Sequence, residues 1–190
     1  MMWVKVSTDK KIRQGSIIHG VNFGYGIDRS PLGIVLTDQC DLQNGKCSFL
    51  IVAALYDASD RLFNTKEFQN IFQNAENDGE GKKILKKKTV KGFLEKFVTN
   101  KNITRFYFID PRPCIDEFTP GLVVDFQHII SVPYSDDLKF DIYCDLDHPF
   151  IEQMMMQFVS YTARIPSNRV TDQVIEQYVN EFAPDHININ

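Results

Sequence analysis

Residues 33–55, GIVLTDQCDLQNGKCSFLIVAAL, decide the fold of the first part of the chain. Two apolar runs, 33–36 and 49–55, have the length and composition of buried strands. An Asn-Gly pair at 44–45 lies between them, and because both residues tolerate a positive φ it predicts a tight hairpin. A further strand signal at 11–20 precedes the pair. Three short strands this close in sequence predict a small antiparallel barrel or meander.

The pattern changes to helical periodicity after Asp57 and stays helical to about residue 100. Strand signals return at 103–109, 122–132 and 138–146. Asp147 followed by Pro149 is typical of a helix start, and this helix is expected to end near residue 165, with a last helix opening at Thr171. The sequence therefore predicts an α+β protein. It comprises a small antiparallel SH3-like β-barrel over 1–146, with a helical insertion at about 57–100, and a C-terminal helical cap over 147–190.

The composition is that of an ordinary globular protein. The chain has 190 residues, of which 43% are hydrophobic and 24% charged. A net charge of -4 excludes a wholly basic surface, so that any nucleic-acid site must be a local patch. The first residues lack the apolar core of a signal peptide, and no run approaches the roughly 20 apolar residues of a membrane span. We therefore expect a cytoplasmic protein with free thiols and no membrane contact.

The end of the second strand carries a thiol and a carboxylate, Cys40 and Asp41. A side chain at a strand end has a rigid support and an open front, which suits an active site. His128 and His148 are the candidate bases for a thiol enzyme built on Cys40. A structural interpretation remains open: Cys40 is a small buried hydrophobic residue, and Asp41 accepts hydrogen bonds from the turn amides.

Metal binding is the second interpretation of the cysteines. Cys40, Cys47, Cys144 and His148 offer sulfur and nitrogen ligands of the kind that zinc accepts. Their spacings, C-x6-C and C-x3-H, are not those of a zinc knuckle. We therefore predict no metal and no other cofactor.

A lysine-rich run over 82–96 is the one candidate for a nucleic-acid patch. If the run is helical, Lys83, Lys87 and Lys91 share one face, and their charge can hold phosphates. The alternative is the solvated face of an amphipathic helix whose opposite face packs on the protein.

Four short segments resemble the PemK/MazF-like toxin family: GSII at 15–18, RSP at 29–31, IVLT at 34–37 and LIVA at 50–53. The resemblance implies a compact SH3-like barrel, often dimeric, whose active members cut single-stranded RNA without metal. It also implies a catalytic role for the arginine of the Arg-Pro element, here Arg29. The strand end further resembles small bacterial proteins with a V-[LI]-[ST]-x-x-C-D-[LI] pattern, for which the resemblance suggests a phage-defence or toxin-like setting.

Two functional hypotheses follow, and the sequence leaves open whether the protein is an enzyme. In the first, a non-catalytic binding or regulatory module docks a protein partner through its terminal helices and the methionines at 154–156. In the second, an RNA endonuclease uses Arg29 to stabilise charge, and Asp41 or a histidine such as His128 to move protons. RNA or DNA would then bind to the lysine patch, and a homodimer fits the resemblance.

Overall fold

The computed structural model of the chain describes residues 3–9, 11–24, 32–100, 105–112, 114–115, 121–135 and 140–163. Nine strands and five helices lie within these residues. In chain order they are β1 (Val4–Val6), β2 (Ser16–His19), β3 (Leu32–Val35), α1 (Gln39–Gln43), β4 (Phe49–Asp57), α2 (Ala58–Phe63), α3 (Lys66–Gln73), β5 (Glu76–Asn77), β6 (Lys83–Ile84), α4 (Lys87–Val98), β7 (Phe106–Ile109), β8 (Leu122–Pro133), β9 (Asp141–Leu146) and α5 (Phe150–Thr162).

Seven of the strands form one antiparallel sheet in the order β1-β9-β2-β3-β4-β8-β7. The sheet curls into a half-barrel, and β5 pairs with β6 in a separate two-stranded sheet. The prediction of a mixed α and β protein around an antiparallel sheet is thereby confirmed. The hairpin expected from residues 33–55 forms as β3 and β4, with Ile34 paired to Ala53.

Helix α5 and Trp3 close the open side of the half-barrel. The Trp3 ring stacks on Phe150 of α5, with centroids 4.4 Å apart, and meets Phe108 of β7 edge-on at 5.8 Å. Trp3 precedes the edge strand β1, so these contacts link the two edges of the sheet. The buried Gln157 of α5 also donates a hydrogen bond of 2.8 Å to the Phe106 carbonyl of β7. The helix thus covers a sheet edge that would otherwise expose backbone groups.

The two faces of the sheet pack against different partners. Residues that alternate along a strand point to opposite faces, and in β8 Leu122 and Val124 enter the interior core with α5. Val123 instead joins the core formed with α2, α3 and α4. Asp125 follows Val123 by two residues and therefore lies on the face that the helices cover.

The connection between β3 and β4 differs from the tight hairpin expected at 44–45. It contains the one-turn helix α1, because the Asp38 carboxylate accepts a hydrogen bond of 2.7 Å from the Cys40 amide and caps that helix. Gly45 still provides the predicted positive φ, at 61°, where the chain turns back after α1.

The insertion holds α2, α3 and α4, but it is not wholly helical. Residues 76–84 form the β5–β6 hairpin, because the Asp78 carboxylate accepts hydrogen bonds from the amides of Glu80 and Lys82, and Gly81 has a φ of +81°. No helix within the described residues is long and apolar enough to cross a membrane. The last helix predicted at Thr171 lies outside the described residues.

Gly33 is a packing constraint that can be tested directly. A Cβ atom added there would lie 2.5 Å from Cγ1 of the buried Val52 and 3.0 Å from Cζ of Phe23. We expect Gly33→Ala to lower the free energy of unfolding by about 1–3 kcal/mol, as overpacking of a filled core does. Urea denaturation of wild type and variant measures this change in the free energy of unfolding. Gly79→Ala is the matched control, since no atom lies within 4 Å of its added Cβ, and equal stability of the two variants would contradict the prediction.

Candidate functional site

The strand-end residues Cys40 and Asp41 lie on α1, and both are exposed. The structural interpretation of the pair is wrong in both parts. Cys40 is not a buried hydrophobic residue, and the turn amides are capped by Asp38 instead of Asp41 because Asp38 directly precedes the helix. The pair sits beyond the end of β3, next to the start of β4, where the Leu36 amide bonds the Ile51 carbonyl.

The two histidines lie in different places. His128 is on β8, and its Nδ1 atom is 2.5 Å from the hydroxyl oxygen of Tyr56 near the far end of β4. Strand β4 separates β8 from β3, which leads to Cys40, so the structure does not bring Cys40 or Asp41 to His128. His148 pairs with Glu152 and lines a cleft of about 560 Å³ together with Asp38.

The cysteines do not converge on a metal site. Cys144 is fully buried in the interior core, whereas Cys40 is exposed on α1. Within the described part of the chain, no group of three or more His, Cys, Asp or Glu side chains is placed to hold a metal ion. Burial also raises the pKa of the Cys144 thiol and that of its neighbour Cys114, so both stay protonated at neutral pH.

The predicted lysine face does not form as a unit. Lys83 was expected on a helix with Lys87 and Lys91, and this is wrong, since it lies on β6, where its Nζ atom donates to the Ala75 carbonyl at 2.8 Å. Most other lysines of the run are paired with glutamates. The ion pairs are Lys82–Glu80, Lys86–Glu76, Lys91–Glu95 and Lys96–Glu67. Four of the seven lysines of the run therefore have a glutamate partner, each at an exposed position.

A different group of side chains forms a polar site around a buried carboxylate. Asp125 is fully buried, and its carboxylate accepts two hydrogen bonds of 2.5 Å from Nε and Nη2 of Arg105. Nη2 of Arg61 donates a third, at 2.6 Å. Tyr56 and His128 complete the group, and we refer to these five residues as the arginine cluster.

Local folding explains why the two arginines reach Asp125. Arg61 lies in the last turn of α2, which packs on this face of the sheet through Ala58 and Leu62. Arg105 directly precedes β7, whose residue Phe106 pairs with Asp125 across the sheet. One guanidinium group therefore reaches the Asp125 carboxylate from helix α2, and the other reaches it from the start of strand β7.

An irregularity in β8 places His128. Asp125 pairs with Ala54 of β4, and Ile129 pairs with the adjacent Ala53, so residues 126–128 bulge out of the ladder. The Gln127 amide turns back to donate to Oδ1 of Asp125 at 3.1 Å. Bulges re-aim side chains and occur often beside functional sites. Here the bulge directs His128 toward Tyr56.

The charges of the cluster do not cancel. Burial raises the pKa of Asp125, but the hydrogen bonds from Arg105, Arg61 and the Gln127 amide outweigh it, so the pKa stays below its ordinary value. Burial raises the pKa of Tyr56, which is therefore a neutral phenol at pH 7. One carboxylate faces two guanidinium groups, so the cluster carries one surplus positive charge.

The arginines keep donors for a further partner. The exposed fractions of the Arg61 and Arg105 side chains are 33% and 37%. Among the described residues, their Nη1 groups have no hydrogen-bond acceptor, and the buried Nε of Arg61 has none either. The Arg61 guanidinium is stacked on the Tyr56 ring at 4.2 Å, which fixes its orientation. Such an arrangement can bind an oxyanion, and His128 beside it can exchange a proton.

Sequence reasoning identified only His128 of the five residues. A signal for Asp125 was present, since it is the single charged residue of the apolar run LVVDFQHIISV at 122–132, and a buried carboxylate requires partners. Arg61 and Arg105 lie 64 and 20 residues away from it and carry no comparable local signal.

Because the pKa of Asp125 is lowered by folding, its ionised form stabilises the protein above its ordinary value of 3.8. This contribution is lost as the pH falls below 3.8 through the folded-state pKa. We expect Asp125→Asn to lower the free energy of unfolding at pH 7 by about 3 kcal/mol, because it leaves two guanidinium groups unneutralised. The free energy of unfolding of this variant should also decrease less than that of wild type as the pH falls. Urea unfolding between pH 7 and about pH 2 measures both effects. Asp41→Asn is the exposed control, and equal acid profiles for wild type and Asp125→Asn would contradict the account.

Comparisons of the chain with protein-family models and with curated proteins find no match.

Proposed function

We propose that the protein is a binding module whose arginine cluster holds a phosphate group of a nucleic acid, single-stranded RNA in particular. The ligand class follows from the cluster, and the preference for RNA follows from the resemblance to PemK/MazF-like toxins. In the same proposal the half-barrel is of the SH3-like type, and the protein belongs to a bacterial defence or toxin-like system.

The observation that supports this proposal is the attachment of two arginines to one buried carboxylate. Arg105 is held by two hydrogen bonds and Arg61 by one, so neither guanidinium loses much freedom when a ligand binds. Guanidinium groups match the geometry of phosphate oxygens through paired N–H donors. The surplus charge lies in a partly buried place, where solvent screens it less than it screens an exposed lysine.

The cluster also meets the condition set by the composition. With a net charge of -4, a nucleic-acid site must be local, and the lysines at 82–96 are mostly paired with glutamates. Arg61 and Arg105 share one carboxylate between them and remain one charge in excess. Because the two arginines are held on a buried carboxylate whereas Lys87 and Lys91 are exposed, the proposal assigns phosphate binding to the arginine cluster in place of Lys83, Lys87 and Lys91.

Cleavage of the bound RNA is the second candidate function, favoured by the Tyr56–His128 contact. If Nδ1–H of His128 donates to the Tyr56 oxygen, Nε2 is an acceptor and can take the proton of a ribose 2′-hydroxyl. The 2′-oxygen then bonds to phosphorus, and the bond from phosphorus to the 5′-oxygen breaks. That oxygen takes a proton from water or the imidazolium, leaving a 2′,3′-cyclic phosphate and a 5′-hydroxyl. The arginines would stabilise the charge on the phosphoryl oxygens.

This reaction does not use the catalytic pair suggested by the sequence. Arg29 lies outside the described residues, and the exposed Asp41 on α1 is separated from the cluster by β4. In the proposal, Arg61 and Arg105 take the role expected for Arg29. His128, which the sequence offered as the alternative to Asp41, takes the proton-transfer role.

Binding is tested with a fluorescently labelled single-stranded RNA of about 12 nucleotides by anisotropy at several salt concentrations. We expect Arg61→Gln and Arg105→Gln each to raise Kd about tenfold, the value of one charged hydrogen bond of about 1.4 kcal/mol. Each should also lower the slope of log Kd against log salt. Arg112→Gln, which removes an exposed arginine paired with Asp110, is the matched control. Unchanged affinity in both cluster variants would contradict phosphate binding there.

Cleavage is tested separately, with the same RNA and its 2′-deoxy analogue in the presence of EDTA. If the second candidate holds, wild type yields a 2′,3′-cyclic phosphate from RNA and leaves the deoxy strand intact. His128→Asn then abolishes cleavage while Kd changes less than threefold, and His148→Asn serves as the control. Full cleavage by His128→Asn would exclude His128 as the proton acceptor.

A further inference from the structure

The bulge of β8, residues 126–128, is held from one side by members of the arginine cluster. The Phe126 amide donates a hydrogen bond of 3.0 Å to the Arg105 carbonyl. The Gln127 amide donates one of 3.1 Å to Oδ1 of Asp125. These two bonds hold the start of the bulge, and His128 follows at its end.

Helix α5 supports the same bulge from another side. The buried Phe126 ring packs against two aromatic rings of α5, with its centroid 5.5 Å from that of Phe158 and 6.2 Å from that of Tyr161. The side-chain Nε2 of Gln127 donates a hydrogen bond of 2.6 Å to the Tyr161 hydroxyl oxygen. The C-terminal part of α5 thus contacts two of the three bulge residues, and the third residue is His128.

Helix α5 is itself fixed to the sheet, which makes it a firm support. The buried Tyr107 of β7 donates its hydroxyl proton to the Phe150 carbonyl at 3.1 Å, near the start of the helix. Gln157 bonds the Phe106 carbonyl of the same strand. Tyr161 follows Gln157 by about one helical turn, so its side chain is presented from a part of α5 that is already held in place.

We propose that Tyr161 is a positioning residue for His128. Its ring supports Phe126 and its hydroxyl holds Gln127, so that the bulge keeps one conformation and the imidazole stays beside Tyr56. Three residues that leave the ladder with β4 need such support, and the geometry of a site depends on it. The inference concerns the site of the proposed function and rests on that function for its effect on cleavage.

The arginines of the cluster are held independently of Tyr161. Arg61 and Arg105 bond the carboxylate of Asp125, which precedes the bulge and pairs regularly with Ala54 of β4. A change at Tyr161 should therefore displace the imidazole and leave the two guanidinium groups in place. The position of the imidazole can thus be tested separately from the binding of phosphate.

NMR spectra of the full chain without RNA test the proposal. Tyr161→Phe keeps the ring and removes the hydroxyl, and Gln127→Ala removes the donor of the same hydrogen bond. We expect each variant to weaken the nuclear Overhauser effect between the rings of His128 and Tyr56 at least about twofold. The double variant should show no larger loss than the single variants, because both changes remove one bond. Tyr143→Phe on β9, whose ring contacts His19 elsewhere on the sheet, is the matched control.

The RNA assays show whether this position matters for the reaction. In Tyr161→Phe, the Kd for the labelled RNA should change less than about twofold. If wild type cleaves RNA, kcat of this variant should fall about fivefold with KM unchanged, which corresponds to one hydrogen bond of about 1 kcal/mol.

Two results would overturn the proposal. The first is an unchanged nuclear Overhauser effect between the His128 and Tyr56 rings in both single variants. The second is losses that add up in the double variant, since Tyr161 and Gln127 would then act independently of each other. Absence of RNA binding by wild type would contradict the proposed function and leave the NMR comparison intact, so the two failures are distinguishable.

Discussion

The buried carboxylate of Asp125 is the constraint on which the arrangement around the site depends. A carboxylate without water contact must be paired, and Asp125 is paired twice, by Arg61 from α2 and Arg105 from the start of β7. These bonds bring a helix of the insertion and an edge strand to the same point on β8. The site is therefore complete only when α2 and the start of β7 have both docked on β8, because each arginine has its partner only then.

The cluster is better explained by binding than by stability. Replacing a buried ion pair by apolar side chains is often neutral or stabilising, so such pairs are not needed to hold a fold. One arginine would also suffice to neutralise one carboxylate. The second arginine leaves the cluster with one surplus positive charge, and the bulge turns His128 toward Tyr56 without adding core packing. A bound anion would offset that charge.

Sequence reasoning succeeded where the signals were local. The apolar runs around residues 33–55 led directly to β3 and β4, and the Pro149 region led to α5. It failed where a short polar segment decided the outcome, as Asp38 did for α1 and Asp78 for the hairpin that contains Lys83. Sequence reasoning did not predict the site itself, since Arg61, Arg105 and Asp125 meet only through tertiary packing. His128 was the one member that sequence reasoning named, and Asp125 carried a detectable signal as a lone charge in an apolar strand.

The most direct test of the account is a titration of the full chain with inorganic phosphate, followed by the arginine Nε–H signals in ¹⁵N NMR spectra. If the cluster is an anion site, the signals of Arg61 and Arg105 shift together and saturate, while those of Arg13 and Arg112, which are paired with aspartates elsewhere, stay in place. Equal, non-saturating shifts of all arginines would show that the cluster has no preference for phosphate, and the central claim would be wrong.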